Sequence, residues 1–392
     1  MPFEILGTGL ALPPHSIAQE EAAEFAGTCL AGETHDVGRS AALVSALYRR
    51  SGVQTRHSVV LDSSTSAGSA TQTFYPSSEE RTELGPGTAE RMQRYEADAP
   101  KLAAAAAADA LEQSGVSPES VTHLVTVSCS GFSAPGVDLY LIHELQLAPT
   151  VARTHVGFMG CHGALNGLRT AAAFAASDPQ AVVLVCAVEL CTLHHQYGWD
   201  PQRIVANSLF ADGAAAVVGR AARPVEGAGD DVCRPEAANV STSFILGHAS
   251  QIVPNTHHMM TWRIGDHGFR MTLSPEVPDV ITRSLAGVLN TFLSRFGMTM
   301  SDVPSWAIHP GGPRILNAVG EVAGLTSDQL EPSRRVLARC GNMSSPTVLF
   351  ILDELRRRGA PHPTVMLAFG PGLNIEMALI SANALVNSDR SE

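Results

Sequence analysis

Apolar runs bounded by turn residues recur along this chain, and their lengths and flanks make most of them strands. FEILGTGLALP reads as a strand and turn, and a helical pattern follows it. Residues 62–88 are rich in Ser, Thr, Gly and Pro with little periodicity, which predicts a long surface loop. An alanine-dense helix over 91–114 precedes THLVTVSC, a continuous apolar run of the kind found in strands covered on both faces. AVVLVCAVEL and AAAVVGR read as further buried strands. Beyond a polar, Gly/Pro-bearing stretch at 223–239 the theme repeats. STSFILGHA is a strand, 278–296 a helix, SWAIHP a strand, PRILNAVGEVAG and 346–358 helices, and TVMLAFG and IEMALISA a pair of strands. The alternation predicts an α/β protein, and the repetition argues for two duplicated halves, 1–222 and 223–392.

Composition narrows the classes. A chain of 392 residues, 45% hydrophobic and 16% charged, buries a large core. Its net charge of -12, with no basic run longer than Arg356, Arg357 and Arg358, leaves no face for a phosphate backbone, so nucleic acid is not an expected partner. The first thirty residues carry Glu4, Glu20, Glu21 and Glu24 and no basic segment ahead of an apolar run. AVVLVCAVELCTL is cut by Glu189 and is too short to span a bilayer. A cytoplasmic protein without a membrane span is expected. Seven cysteines without CxxC spacing fit reduced thiols. The pairs His194/His195 and His257/His258 lack further ligands at metal-binding spacing, and no metal is expected.

Three segments carry candidate chemistry. Cys161, in GFMGCHGALNGLR, opens a helical run, where the helix end and a nearby imidazole would lower a thiol pKa; Gly160 and Gly163 allow a sharp turn and close approach of substrate. His309, in WAIHPGGPRIL, ends an apolar strand, a place that faces pockets in α/β proteins. Asn342, in CGNMSSPTVLFIL, supplies a second donor. A thiol that takes an acyl group, with two donors for an enolate oxygen, suits a carbon–carbon bond-forming acyl transferase. A buried structural cysteine is the plain alternative for Cys161, and a papain-like hydrolase shares the order Cys, His, Asn, though a CGSCW-type context is absent.

HPGGPRIL, GNMSSPTVLFIL, LFADGAAAVV and FGPGLNIE together resemble the type III polyketide synthases, the chalcone synthase-like branch of the thiolase superfamily. The resemblance implies a homodimer of five-layered αβαβα protomers with Cys161, His309 and Asn342 as catalytic triad. Malonyl-CoA and an acyl-CoA starter would be the substrates, with no cofactor beyond these thioesters. It also implies Phe210 as gatekeeper, Met271 at a second gatekeeper position, and Gly370, Pro371 and Gly372 as the loop shaping the cyclisation pocket. Cys129, Cys191, His194, Trp262 and Ser344 fall at wall positions. Trp262 stands where plant enzymes have glycine, and Ala134 replaces a methionine that crosses the dimer interface. SCSGF and VELCTLHHQ look like bacterial members, which make alkylresorcinols, alkylpyrones or small phenolics. Of the tunnel-mouth basic positions Arg50 is retained, Arg49 and Arg56 lie close enough to substitute for the others, and an acyl carrier protein is the alternative starter donor. A ketoacyl synthase III-like enzyme shares the triad, but HPGGP and GNMSSP argue against it.

Overall fold

The computed structural model describes residues 1–30, 37–64, 70–77, 84–222 and 243–384. Among them, nine strands form one sheet in the order Ser305–Ile308, Thr364–Gly370, Asn374–Ser381, Ser243–Ile252, Phe3–Ala11, Asp212–Ala221, Val182–Leu190, His123–Ser128 and Ala152–Gly157. Phe3–Ala11 joins the two halves, pairing antiparallel with Asp212–Ala221 on one edge and with Ser243–Ile252 on the other. The parallel pairs lie at the two ends of the sheet, where helical crossovers cover both faces and explain the unbroken apolar runs.

Three large clusters of buried side chains divide the molecule into layers. The central one packs Leu165 and Leu168 of helix Gly163–Ser177 and Leu349 and Leu352 of helix Thr347–Arg357 between the inner faces of both half-sheets. A second lies under helix Thr88–Ser114, and a third under helices Val277–Ser294 and Pro313–Ala323. The result is the αβαβα thiolase-like architecture. Small residues allow the closest contact: a Cβ on Gly9 would sit 2.1 Å from the carbonyl oxygen of Ala106, so strand and alanine-rich helix meet backbone to backbone.

Some expectations change. Residues 62–88 do not form a plain loop, because Leu61–Ser64 and Ala70–Gln72 pair as a short ribbon and Tyr75 beyond it is buried. The long helix begins at Thr88, and the helix after Cys161 begins at Gly163, with Cys161 in a one-turn 3-10 segment, Gly160–His162, ahead of it. The seam expected at 223–239 lies outside the described residues. Strand Ala152–Gly157 escaped the sequence reading because ARTHVG is a half-exposed edge strand without an apolar run. Helices Val137–Glu144, Pro201–Leu209 and Ser327–Cys340 and the hairpin Met260–Gly265/Gly268–Leu273 were also missed. No helix among the described residues is long and apolar enough to cross a membrane.

Candidate active site

The turn before Cys161 forces the chain through two left-handed residues, Phe158 (φ 55°) and Gly160 (φ 75°). A side chain at Gly160 would place its Cβ 2.2 Å from Cδ of Pro371, so the glycine lets the 371 loop pack against the turn that carries Cys161. Cys161 lines a small, mostly apolar pocket of about 30 Å³ together with Cys129, Cys191, Phe210, Trp262, Met271, Ser344 and Pro371, all named from the sequence. Trp262 and Met271 are cross-strand partners in the hairpin, and their side chains stand together on that wall.

Asn342 follows helix Ser327–Cys340, which ends at left-handed Gly341 (φ 71°). Its main chain is held on both sides: its N–H donates to Leu209 O at 2.9 Å, and its carbonyl accepts from Ala211 N–H at 2.9 Å. Phe210 is thereby bridged to Asn342, so the phenyl ring and the amide share one backbone support. The Asn342 side chain accepts from Ser344 N–H at 2.8 Å, and the side chains of both residues lie close enough to the Cys161 sulfur to draw its pKa down. His309 is anchored by its N–H to Leu367 O at 2.8 Å and is 1% exposed; neither ring nitrogen has a hydrogen-bond partner among the described residues. It is close enough to His162, the residue after Cys161, for their charges to repel.

The electrostatics differ from the sequence expectation of a depressed thiol pKa. Burial pushes the Cys161 thiol up to about 12, with the Glu189 carboxylate adding to the rise and Ser344 and Asn342 opposing it. Burial holds His309 down at about 3, so its imidazole is neutral and resists protonation. In the empty site a lone thiolate is disfavoured; transfer of the thiol proton to an imidazole would create both charges together, and their attraction offsets part of that cost.

The remaining sequence-named residues are spread wider. His194 is buried behind the pocket, its Nε2 2.6 Å from Ser130 O and its Nδ1 accepting from Phe269 N–H at 3.0 Å, with its ring stacked on Phe269 at 4.1 Å. It lines a second cavity of about 130 Å³ that shares Cys191, Phe210, Trp262 and Met271 with the first. Trp262 stands edge-on to His194 and Phe269 and donates its Nε1–H to Cys129 O at 2.8 Å, a polar pin that holds the partition. Gly370 and Gly372 flank Pro371 without facing the pocket, and Ala134 is exposed, outside it. Arg50 lines a cleft of about 830 Å³ with Gly311, Gly312 and Arg314, and Arg49 is exposed nearby on the same helix. Arg56 does not reach that mouth. It is 5% exposed, and its guanidinium binds the carbonyls of Asn207, Ser208 and Phe210 and the Gln19 side chain, because a buried cation must spend its donors on fixed oxygens.

Sequence reasoning missed the site's buried carboxylate. Glu189 is 0% exposed; its Oε2 accepts from Cys129 N–H and Ser130 N–H, both at 2.9 Å, and from Ser130 Oγ at 2.6 Å, and its Oε1 from Ser345 Oγ at 2.6 Å. The signal was there: a glutamate interrupting a continuous apolar strand needs buried donors around it.

These burials set an acid limit on stability. His194, His195 and His309 are held at about 3 in the folded chain, below the ordinary 6.5, so unfolding takes up protons that the folded state refuses. Their contribution is complete above about pH 7 and is lost as pH falls through 6.5 toward 3, at about 1.4 kcal/mol per pH unit for each group. Asp212, raised to about 6, and Glu189, also raised, act in the opposite sense and offset part of it. A net loss of about 1–2 kcal/mol per pH unit between 6 and 4.5 is expected. Thermal unfolding at pH 7.5, 6 and 5 checks it; a midpoint that holds or rises on acidification contradicts it.

Comparison with known proteins agrees with this geometry. The N-terminal domain of the chalcone and stilbene synthases matches residues 2–222 and their C-terminal domain residues 245–383. The 1,3,6,8-tetrahydroxynaphthalene synthase of Streptomyces peucetius subsp. caesius is 34% identical over 374 residues, 94% of this chain and 90% of that protein. The alpha-pyrone synthesis polyketide synthase-like Pks18 of Mycobacterium tuberculosis is 35% identical over 257 residues, 64% of this chain and 63% of that one. The crystal structure of PKS-I from the brown alga Ectocarpus siliculosus superposes with a TM-score of 0.85 at 27% identity, covering 97% of this chain and 98% of that chain. Neither a single-condensation ketoacyl synthase nor a hydrolase is favoured beside these matches. The chain belongs to the chalcone and stilbene synthase family and is a type III polyketide synthase.

Proposed function

We propose that the enzyme loads a short acyl starter from coenzyme A onto Cys161 and extends it with malonyl-CoA. His309 takes the thiol proton. Loss of carbon dioxide from the malonyl unit leaves an enolate whose oxygen accepts from His309 and Asn342, and its carbon attacks the Cys161 thioester, forming the C–C bond as the C–S bond breaks. The carrying observation is that Cys161 and Ser344 line one buried, mostly apolar pocket, that Ser344 and Asn342 draw the Cys161 thiol pKa down, and that the unpartnered imidazole of His309 lies close to His162, the next residue. The cleft at Arg50 and Arg314 suits the phosphates of coenzyme A, and no acyl carrier protein is required. Exposed Phe132, Leu139, Tyr140, Phe158 and Met159 form an apolar surface beside the nucleophile's turn, suited to a second copy in a homodimer. A cytoplasmic location and independence of any further cofactor complete the reading.

The starter is short because the pocket at Cys161 has room for only about two waters before anything moves. Products of an acyl-CoA series with labelled malonyl-CoA, read by mass spectrometry, test this: acetyl- or malonyl-primed products should dominate, and free acid without a new C–C bond sinks the proposal. Trp262→Gly removes the partition and joins the pocket to the 130 Å³ cavity behind it. The ratio of kcat/KM for six-to-eight-carbon or aryl starters over acetyl is expected to rise about tenfold or more. An unchanged ratio would show that the rear cavity takes no part.

A further inference from the structure

Directly behind the nucleophile lies a buried polar chain that the proposed chemistry does not use. His162, 3% exposed, has Nδ1 2.6 Å from Asn166 Oδ1, and its Nε2 is 3.3 Å from Asn374 Nδ2. An amide nitrogen only donates, so Nε2 accepts and the proton sits on Nδ1. Asn166 and Asn374 both donate to Glu376 Oε1, at 3.1 and 3.0 Å, and Arg169 closes the chain on Glu376 Oε2 at 2.8 Å. One tautomer and one ring orientation are thereby fixed.

That ring touches both ends of the turn that carries Pro371. A Cβ on Gly370 would fall 2.2 Å from His162 Cδ2 and 2.5 Å from Nε2, so the main chain of Gly370 rests on the imidazole edge. Asn374, paired with Gly370 across the turn, is held by Nε2. Pro371 between them lines the pocket of Cys161. Contacts from the other side are Gly372 N–H to Met260 O at 3.0 Å and Thr256 Oγ1 to Gly372 O at 3.0 Å; on the nucleophile's side the turn rests on the imidazole and on the Met159–Gly160 main chain, which carries no side chain that could adjust its height.

We propose that His162 is a positioning residue that sets the height of the Pro371 wall over the Cys161 sulfur and, through it, the mode of ring closure. The second part rests on the functional reading above. A bound polyketide leaves Cys161 when one of its own nucleophiles reaches the thioester carbonyl. An enolate carbon makes a C–C bond and a carbocycle, and an enolic oxygen makes a C–O bond and a lactone. In both cases the C–S bond breaks, and the sulfur keeps the electron pair and regains the proton the nucleophile gave up. A wall a few tenths of an ångström higher or lower changes which atom arrives.

The test uses full-length wild type, His162→Phe, which keeps a flat ring and removes both bonds, and Asn374→Ser, which removes the Nε2 bond and the Asn374 bond to Glu376 while leaving the Nδ1 bond to Asn166. Alkylation of the Cys161 peptide by iodoacetamide and by N-benzyl iodoacetamide is followed by mass spectrometry, and the ratio of lactone to carbocycle is measured from labelled malonyl-CoA. The bulky-to-small alkylation ratio and the product ratio are both expected to shift about fivefold in each variant, while total turnover changes less. Turnover that falls with both ratios unchanged overturns the proposal, leaving His162 a structural residue. If His162→Phe does not fold, Asn374→Ser decides alone. The alkylation ratio needs no polyketide chemistry, so an absence of products in the wild type counts against the functional reading and not against the positioning role.

Discussion

Cys161→Ala is expected to abolish chain extension, by at least about 10³-fold in product formed, while leaving a measurable release of carbon dioxide from malonyl-CoA. The two steps use different groups. Acyl capture and C–C bond formation need the sulfur as carrier of the thioester, and no neighbouring thiol replaces it: burial and the Glu189 charge push Cys129 and Cys191 well above the ordinary thiol range, and the Cys129 sulfur is occupied by Gly160 N–H at 2.9 Å. Decarboxylation needs donors for an enolate oxygen, and neither His309 nor Asn342 depends on the sulfur for its position, each being tied down through its main chain. Assaying labelled carbon dioxide and polyketide in parallel separates the two. Extension surviving in Cys161→Ala would move the nucleophile elsewhere; loss of both activities with the fold intact would give the sulfur a part in decarboxylation too.

Glu189→Ala should be among the most destabilising single changes in the chain. It strands two backbone N–H groups and three hydroxyls, those of Ser128, Ser130 and Ser345, all of which now point at one carboxylate, and leaves a hole in a strand that is buried along most of its length. The lost hydrogen bonds and the cavity together cost about 4 kcal/mol or more. Glu189→Gln keeps an oxygen for the two N–H groups and turns its amide toward Ser345, whose hydroxyl can rotate to accept, so a loss of about 1 kcal/mol is expected. Denaturant titration of the two variants against wild type checks the difference. Equal losses would mean that the charge, rather than the satisfied donors, holds the site.

The sequence was most legible where burial is two-sided. THLVTVSC and AVVLVCAVEL are predominantly apolar, without alternation, because helices cover both faces of those strands, and the folded chain places strands there. Cys161, His309 and Asn342 were legible because each sits beside glycines or prolines that fix a turn, and turn chemistry is local. Glu189 and His162 were not picked out, since what defines them includes partners drawn from distant segments, such as Ser345 and Asn374, that spacing along the chain does not reveal. Arg56 misled for the same reason: a basic residue near other basic residues looks solvated until three carbonyls from around residue 208 are seen to enclose it. The thiol was misjudged because a helix terminus contributes a fixed modest attraction, whereas desolvation grows with the depth of the pocket, and only the fold sets that depth.

Phe3–Ala11 is the first of these strands to leave the ribosome, yet both of its neighbours, Asp212–Ala221 and Ser243–Ile252, are encoded more than two hundred residues later. During synthesis, at roughly 5–20 residues per second, the amino-terminal strand waits on the order of 10 s or longer with both hydrogen-bonding edges bare. The middle of the sheet is therefore closed by the earliest made of its strands, and nascent molecules stalled before residue 243 should be the forms most in need of chaperone protection.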